Sequence, residues 1–163
     1  MSESMGTAAD LASETIENVN DEKYLIFSIL DKRYAIPSRF ISELAVFEAV
    51  YPLPLVPDYM PGIINRYSIP YALLDIGLLL YKTPSPRDKV LVLKDNIDRI
   101  AFLIDDIVDI TDISQDQLFL IERRAESADV SDIISASFKW NDGDVFVLDI
   151  LRILARISAE AEA

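Results

Sequence analysis

Residues 23–44 lie on residues 89–110 without a gap at an offset of 66, and no other feature of this 163-residue chain narrows its possible folds as much. Lys23/Lys89, Leu25/Leu91, Arg33/Arg99, Ala35/Ala101 and Ile41/Ile107 are identical. Tyr24/Val90, Ile26/Val92, Phe27/Leu93, Tyr34/Ile100 and Leu44/Ile110 keep an apolar side chain. A second pair recurs at an offset of 74, where Leu73-Leu74-Asp75-Ile76 matches Val147-Leu148-Asp149-Ile150 and each leads into a Leu/Ile-rich run. Because the hydrophobic phase survives along with the identities, the same supersecondary unit occurs twice. Repeats this long and this few do not make a solenoid. Two related β-rich units that face each other make a shape suited to holding partners.

The inventory of side chains removes several kinds of chemistry. A net charge of −13 repels phosphate backbones and no basic stripe offsets it, so nucleic acid is not an expected partner. With no cysteine and no histidine, disulfides, thiolate chemistry, His-based triads and the usual structural zinc sites are excluded. No apolar run approaches the length of a membrane span, and the N-terminus lacks the pattern of a signal peptide. The expectation is a cytoplasmic protein without direct membrane insertion. With 51% hydrophobic residues and only four glycines, burial can offset ordering entropy in a real core.

Along the chain, residues 1–22 carry six acids and no base and read as a flexible tail with a short helical stretch around Leu11 to Val19. The run from Lys23 is β-branched and aromatic, and with a turn at Asp31-Lys32-Arg33 and a return through Tyr34-Ala35-Ile36 it predicts a hairpin. Pro37-Ser38 reads as the start of a short helix carrying Phe40, Ile41 and Leu44, followed by a strand from about Ala45 to Val50. Pro52, Pro54, Pro57 and Pro61 make the next stretch an extended connector or edge strand. Gly62 to Arg66 and Ile69 to Leu74 read as strands around a tight corner at Tyr67-Ser68.

Asp75 and Asp149 stand where a strand gives way to a Leu/Ile helix, the place of an N-cap carboxylate. Lys82 to Asp88 is a Pro/Ser linker, and residues 89–94, 99–104 and 106–110 supply further strands. Ile121 to Asp132, polar and aperiodic, reads as an exposed loop. Ile133 to Trp140 and Val145 to Leu148 flank a turn whose Asp142-Gly143 pair supplies positive φ. Residues 150–162 form a terminal helix with Ile150, Ile153, Leu154 and Ile157 on one side. Many short strands with few helices indicate small barrels.

Three segments in this order carry a family resemblance: YLIFSILDKRYAIPSRFISEL, PDYMPGIINRYSIPYALLDI and GDVFVLDILRIL. Over roughly residues 23–155 the chain resembles CheW, the coupling protein of bacterial chemotaxis, and the homologous regulatory domain of the histidine kinase CheA. The resemblance implies a mainly β fold of two five-stranded SH3-like barrels packed side by side, with short helices and a C-terminal helix. The expected division is an acidic tail over 1–22, two intertwined barrels over 23–150 (about 33–82, and 23–32 with 88–150), and a helix over 151–163. The resemblance also implies a non-catalytic adaptor, without a cofactor, that binds a CheA-type regulatory domain and the cytoplasmic tip of a chemoreceptor.

Residue by residue, Gly62, Asn65 and Asp75 fall on the family's Gly, Asn and Asp, while Arg66 takes the usual Leu, Tyr67 the Arg, Ser68 the Gly and Ala72 the Pro. Tyrosine offers a ring and one hydroxyl in place of five fixed donors and a permanent charge. Arg66 is expected to point to the opposite face and to substitute poorly. Ile41 and Glu43 stand where the family contacts its partners, with core packing for Ile41 and a solvated Glu43 as the alternative. The partner-binding candidates are therefore Ile41, Glu43, Gly62, Asn65 and Tyr67.

Other signals weigh less. Asp105-Asp106-x-x-Asp109 has the letters of a prenyl-transferase magnesium motif, but it lies among β-branched residues with a strand's period. No glycine-rich phosphate loop is present. Trp140, the one tryptophan, covers a core edge or anchors an interface. The alternative to an adaptor is a small-ligand-binding or hydrolytic β-barrel, which requires a deep apolar pocket with converging buried carboxylates.

Overall fold

A computed structural model describes residues 21–47, 49–84, 89–94, 98–121 and 130–162. The expected tail up to residue 20, the linker at 85–88 and the loop over 122–129 lie outside the described residues.

The two repeats are visible in the hydrogen-bond register. β1 (Asp21–Ile29) and β2 (Lys32–Pro37) form a hairpin with Leu25 opposite Ile36 and Ile26 opposite Ala35. β6 (Lys89–Leu93) and β7 (Ile100–Ile104) pair with Leu91 opposite Phe102 and Val92 opposite Ala101, the same partners 66 residues on. β4 (Gly62–Arg66) and β5 (Ile69–Asp75) set Arg66 opposite Ile69, and β10 (Ile134–Trp140) and β11 (Gly143–Leu148) set Trp140 opposite Gly143, 74 residues on. Even the parallel contacts correspond, Leu73 with Ala101 between β5 and β7 and Val147 with Ala35 between β11 and β2.

The third strand of each repeat is exchanged. β3 (Ile41–Val46) pairs with β6, Leu44 opposite Leu91, whereas β8 (Asp106–Ser114) pairs with β1, Ile110 opposite Leu25. Both ladders carry a bulge at the equivalent residue, Ser42 in β3 and Val108 in β8. The sheets therefore run β8-β1-β2-β11-β10-β9, with β9 covering Phe119–Leu120, and β3-β6-β7-β5-β4. Short links compel the exchange. To lie beside its own β1, β3 would run parallel to β2 two strands away, a crossover that usually takes a dozen residues. Its return spans about 20 Å of strand and about 10 Å of sheet, and three residues reach only about 10 Å. Ser38–Phe40 is all that joins β2 to β3, and Asp105 alone joins β7 to β8, so each strand runs on into the other lobe.

Burial follows the duplication. Tyr24, Ile26, Ala35, Phe138, Val145 and Val147 form an inner core of the first sheet, and Val90, Val92, Ala101, Ile64, Tyr71 and Leu73 form its counterpart in the second. Each inner core draws on strands from across its own sheet, so each sheet curls around it as an open SH3-like barrel. No ladder joins the two edge strands among the described residues. The opposite faces pack together: Leu25, Phe27, Tyr34 and Ile36 of the first lobe meet Leu74, Leu91, Phe102 and Ile104 of the second in a shared core. The Tyr34 and Tyr81 hydroxyls hydrogen-bond across this junction.

Helices α1 (Ile76–Tyr81) and α2 (Ile150–Glu162) begin at the two aspartates. Asp75 Oδ1 accepts from Leu78 N at 3.1 Å and Asp149 Oδ1 from Arg152 N at 3.1 Å. Both are N-caps as expected, and Ile150, Ile153, Leu154 and Ile157 of α2 pack on the shared core. Replacing Asp75 by Ala frees the partly buried Leu78 N–H, and a loss of about 1–2 kcal/mol is expected in denaturant unfolding.

Several boundaries differ from the sequence reading. Asp21 and Glu22 belong to β1 and not to the tail, and Glu22 pairs with Arg39. The first turn is Leu30-Asp31, earlier than expected, with φ of 51° and 67°. At the other hairpin Asn141 and Asp142, not Asp142 and Gly143, take positive φ (46° and 63°), because two-residue loops of this type need it at both central positions. The expected helix after Pro37 is one 3-10 turn, Ser38–Phe40, without a side-chain cap, since Ile41 onward is held by the ladder to β6. The exposed loop expected to run to Asp132 gives way at Val130–Ile133 to a 3-10 turn. The expected split of the lobes, 33–82 against 23–32 with 88–150, does not match the sheets. β2 stays with β1, and β6 and β7 join β3, β4 and β5.

Candidate protein-docking site

The second sheet ends on β3 at one edge and β4 at the other, and its seam is bridged by side chains. Glu43 Oε1 on β3 accepts from Arg66 Nε at the end of β4 at 3.0 Å, with both side chains largely covered. This hydrogen bond, ahead of the opposing effect of burial, holds the guanidinium pKa above its usual range. Such a partly covered pair contributes up to about 1 kcal/mol. The Arg66 guanidinium also lies 4.9 Å from the centroid of the Tyr67 ring. Arg66 is therefore not turned away from the corner as its place in the strand suggested. It is the last residue of β4, where its long side chain can reach across to β3.

Tyr67 and Ser68 form the two-residue turn, with φ of 51° and 66°. The left-handed conformation is unusual for a bulky residue and costs about 1–2 kcal/mol. The equivalent turn of the other lobe uses Asn141-Asp142, residue types that tolerate it. The strained tyrosine is also 81% exposed. Leu44, Val46 and Tyr51 are further large apolar side chains left in solvent. A shallow cavity of about 290 Å³ between the sheet edges is lined by Val46, Phe47, Ala49, Tyr51, Asn65 and Arg66. The corner thus sets the exposed side chains of Leu44, Val46, Tyr51 and Tyr67 around a mainly polar shallow cavity and one cation already paired with Glu43.

Of the expected site residues, Glu43, Asn65 and Tyr67 come together here. Gly62 is buried at the far end of β4, beneath the backbone of Tyr51, to which Ile63 is bridged by hydrogen bonds of 2.8 Å in both directions. Ile41 is half-buried against the shared core, separated from Glu43 by the bulge. Leu44, Val46 and Tyr51 were missed, and the reading of 38–44 as a helix hid the first of them. Taken as a strand, ISELAV alternates, and its apolar Leu44 and Val46 share the outer face.

Elsewhere, Trp140 is partly buried on the first inner core with the Arg33 guanidinium 5.2 Å from its ring centroid. The three aspartates of the magnesium-like motif have other work: Asp105 accepts from Leu30 N at 2.7 Å, Asp106 from Lys89 Nζ at 2.9 Å, and Asp109 from Ile110 N at 2.8 Å. Among the described residues no cluster of three or more possible ligands could hold a metal ion. Asp75 is the only buried charged residue among them, and it is a helix cap.

A family model described as CheW-like domain matches residues 23–158. Among solved structures, the fold is similar to the scaffolding protein TtCheW from Thermoanaerobacter tengcongensis, with a TM-score of 0.68 and 12% identity over 78% of this chain and 88% of that one. No curated protein sequence matches.

Proposed function

The chain belongs to the CheW-like domain family, and from that membership we propose that it is a cytoplasmic, non-catalytic adaptor coupling chemoreceptors to a CheA-type histidine kinase. Its partners on this reading are the kinase's regulatory domain and the cytoplasmic tip of a receptor, and the corner around Tyr67 is a docking surface for them. The observation that carries the assignment of the corner is the strained, exposed tyrosine. A residue held at positive φ with its ring in water costs stability and returns none of it through core packing, which is the pattern of a side chain kept for contact with another molecule. Leu44, Val46 and Tyr51 extend the same apolar surface. The hydrolytic alternative finds no converging buried carboxylates among the described residues.

Tyr67→Asn separates the two roles. Asparagine accepts the left-handed turn, so the variant is expected to melt about 2–4 °C higher for each kcal/mol of relieved strain. It loses the ring, so affinity in co-sedimentation with the kinase domain or the receptor tip is expected to fall roughly tenfold, the usual effect of removing about 1.4 kcal/mol of contact. Unchanged affinity for both partners removes Tyr67 from the interface. Failure of the unaltered chain to bind either partner overturns the adaptor reading itself.

A further inference from the structure

β8 is a free edge of the first sheet, nine residues long and open to solvent along most of its length. Which of its amides face outward follows from the hairpin beside it. The two-residue turn at Leu30-Asp31 closes on the pair Ile29 and Lys32, and alternation from there makes Phe27 with Tyr34 and Leu25 with Ile36 the pairs that exchange hydrogen bonds. Pro37, which has no N–H to give, accordingly falls in an unbonded pair with Tyr24. Phe27 and Leu25 are thus spent on β2, so Ile107 and Ile110 opposite them on β8 turn their N–H groups away from the sheet. The bulge at Val108 reconciles these two positions, and the same parity beyond it turns out Asp112 and Ser114.

A row of outward amides is a template for another strand, and Val108 and Ile110 add exposed apolar side chains to it. Two copies of one edge can pair antiparallel about a twofold axis, each satisfying the other. On β8, however, side chains already occupy these donors. Asp106 Oδ1 accepts from Ile107 N at 2.9 Å, Asp109 Oδ1 from Ile110 N at 2.8 Å and Gln117 Oε1 from Ser114 N at 2.8 Å. A strand approaching the edge meets an anion where it needs a donor, and has to strip a charge-assisted hydrogen bond before it forms its own. Glu43 holds the position equivalent to Asp109 in the other repeat, and its carboxylate reaches across the seam to Arg66. The same repeat position thus closes a seam in one lobe and covers an edge in the other.

We propose that Asp106, Asp109 and Gln117 hold shut a self-pairing surface, and that without these side-chain plugs the edge of β8 adds to β8 of a second copy in antiparallel register. The plugs keep the chain a single copy at this edge.

Two pairs of substitutions in the full chain separate the plug from its charge. Asp109→Ala with Asp112→Ala removes the acceptor on the Ile110 amide, whereas Asp109→Asn with Asp112→Asn removes the same two charges and leaves a side-chain oxygen in place. Both aspartates are exposed, so the fold survives either change. In sedimentation at about 100 µM the alanine pair is expected to run at roughly twice the monomer mass, while the unaltered chain and the asparagine pair stay monomeric. In that dimer the amides at positions 110 and 112 are expected to gain protection from hydrogen exchange, with those of Phe119 and Leu120 on the opposite edge unchanged. An alanine pair that stays monomeric, an asparagine pair that dimerises as readily, or new protection centred on Leu120 overturns the proposal. The unaltered chain gives a check that needs no variant. Relative to intrinsic rates, its Ile110 amide is expected to exchange roughly tenfold more slowly than that of Asp112, which faces the same way and meets no side-chain oxygen among the described residues. Equal protection of the two amides overturns the proposal as well.

Discussion

Divided within residues 85–88, the two halves of this chain are expected to give no folded monomer separately and to recover a cooperative unfolding transition when mixed in equal amounts. The first lobe takes β1 and β2 from one half and β8 to β11 from the other; the second takes β3, β4 and β5 from one half and β6 and β7 from the other. Neither half can close a lobe alone, because the link from β2 to β3 is three residues and that from β7 to β8 is one. Each half alone also exposes its share of the core between the lobes, where Phe27, Tyr34, Leu91 and Phe102 are fully buried. The loss is on the order of the whole folding free energy, about 5–15 kcal/mol for a chain of this kind. Fluorescence of Trp140 and size-exclusion chromatography read the outcome, and a half that folds by itself as a monomer contradicts the strand exchange.

Gly62→Ala is expected to be the most damaging single methyl that can be added at the candidate site. A Cβ at Gly62 stands 2.3 Å from the Tyr51 carbonyl oxygen and 2.8 Å from its carbon, and backbone cannot swing aside as a side chain can. The two hydrogen bonds that bridge Tyr51 and Ile63 hold the strands at this separation. Overpacking of this kind costs about 3 kcal/mol, which lowers the melting temperature by roughly 6–12 °C in a chain of this length. Position 136 of the other repeat supplies the comparison. Ala136 occupies the equivalent register, paired with Val147 as Gly62 is with Leu73, and carries its Cβ within the inner core. Thermal unfolding that shows no loss for Gly62→Ala would place the close approach of Tyr51 in error. The glycine thus sets the position that Tyr51 holds at the edge of the sheet.

Much of this architecture was legible because it rests on local chemistry. The offsets of 66 and 74 located four hairpin-forming segments, and their registers coincide across the repeats. Alternating apolar residues located the strands, and the two aspartates located both helix starts. Turn positions were less evenly legible: the corner at Tyr67-Ser68 was placed by the strands on either side of it, whereas the first turn falls at Leu30-Asp31, earlier than expected, because its positive φ angles are adopted without glycine. The helix expected over 38–44 failed for a different reason. Its start signal is local, but the ladder that turns Ile41–Val46 into a strand comes from β6, 47 residues further along at the pair Leu44 and Leu91, a distance no local pattern reports.

At the candidate site, Glu43, Asn65 and Tyr67 were nominated from the family resemblance, whereas Arg66 was set aside because strand alternation sends neighbouring residues to opposite faces. That rule describes the interior of a strand. At its last residue, a side chain as long as arginine is free to cross the seam to Glu43.

The sequence by itself determined that one β unit is present twice, that each copy is built from hairpins and ends in an aspartate-capped helix, and that histidine and cysteine chemistry is closed to the chain. Only the tertiary structure decided which strands share a sheet, that the third strands trade places, and that Glu43, Arg66 and Tyr67 meet at one corner. Hairpins and caps are satisfied by residues a few positions apart, so their signals are written side by side. Sheet membership and the meeting of two edges depend on where whole segments are carried, and that is set by links too short to turn back and by a core that both lobes must bury together.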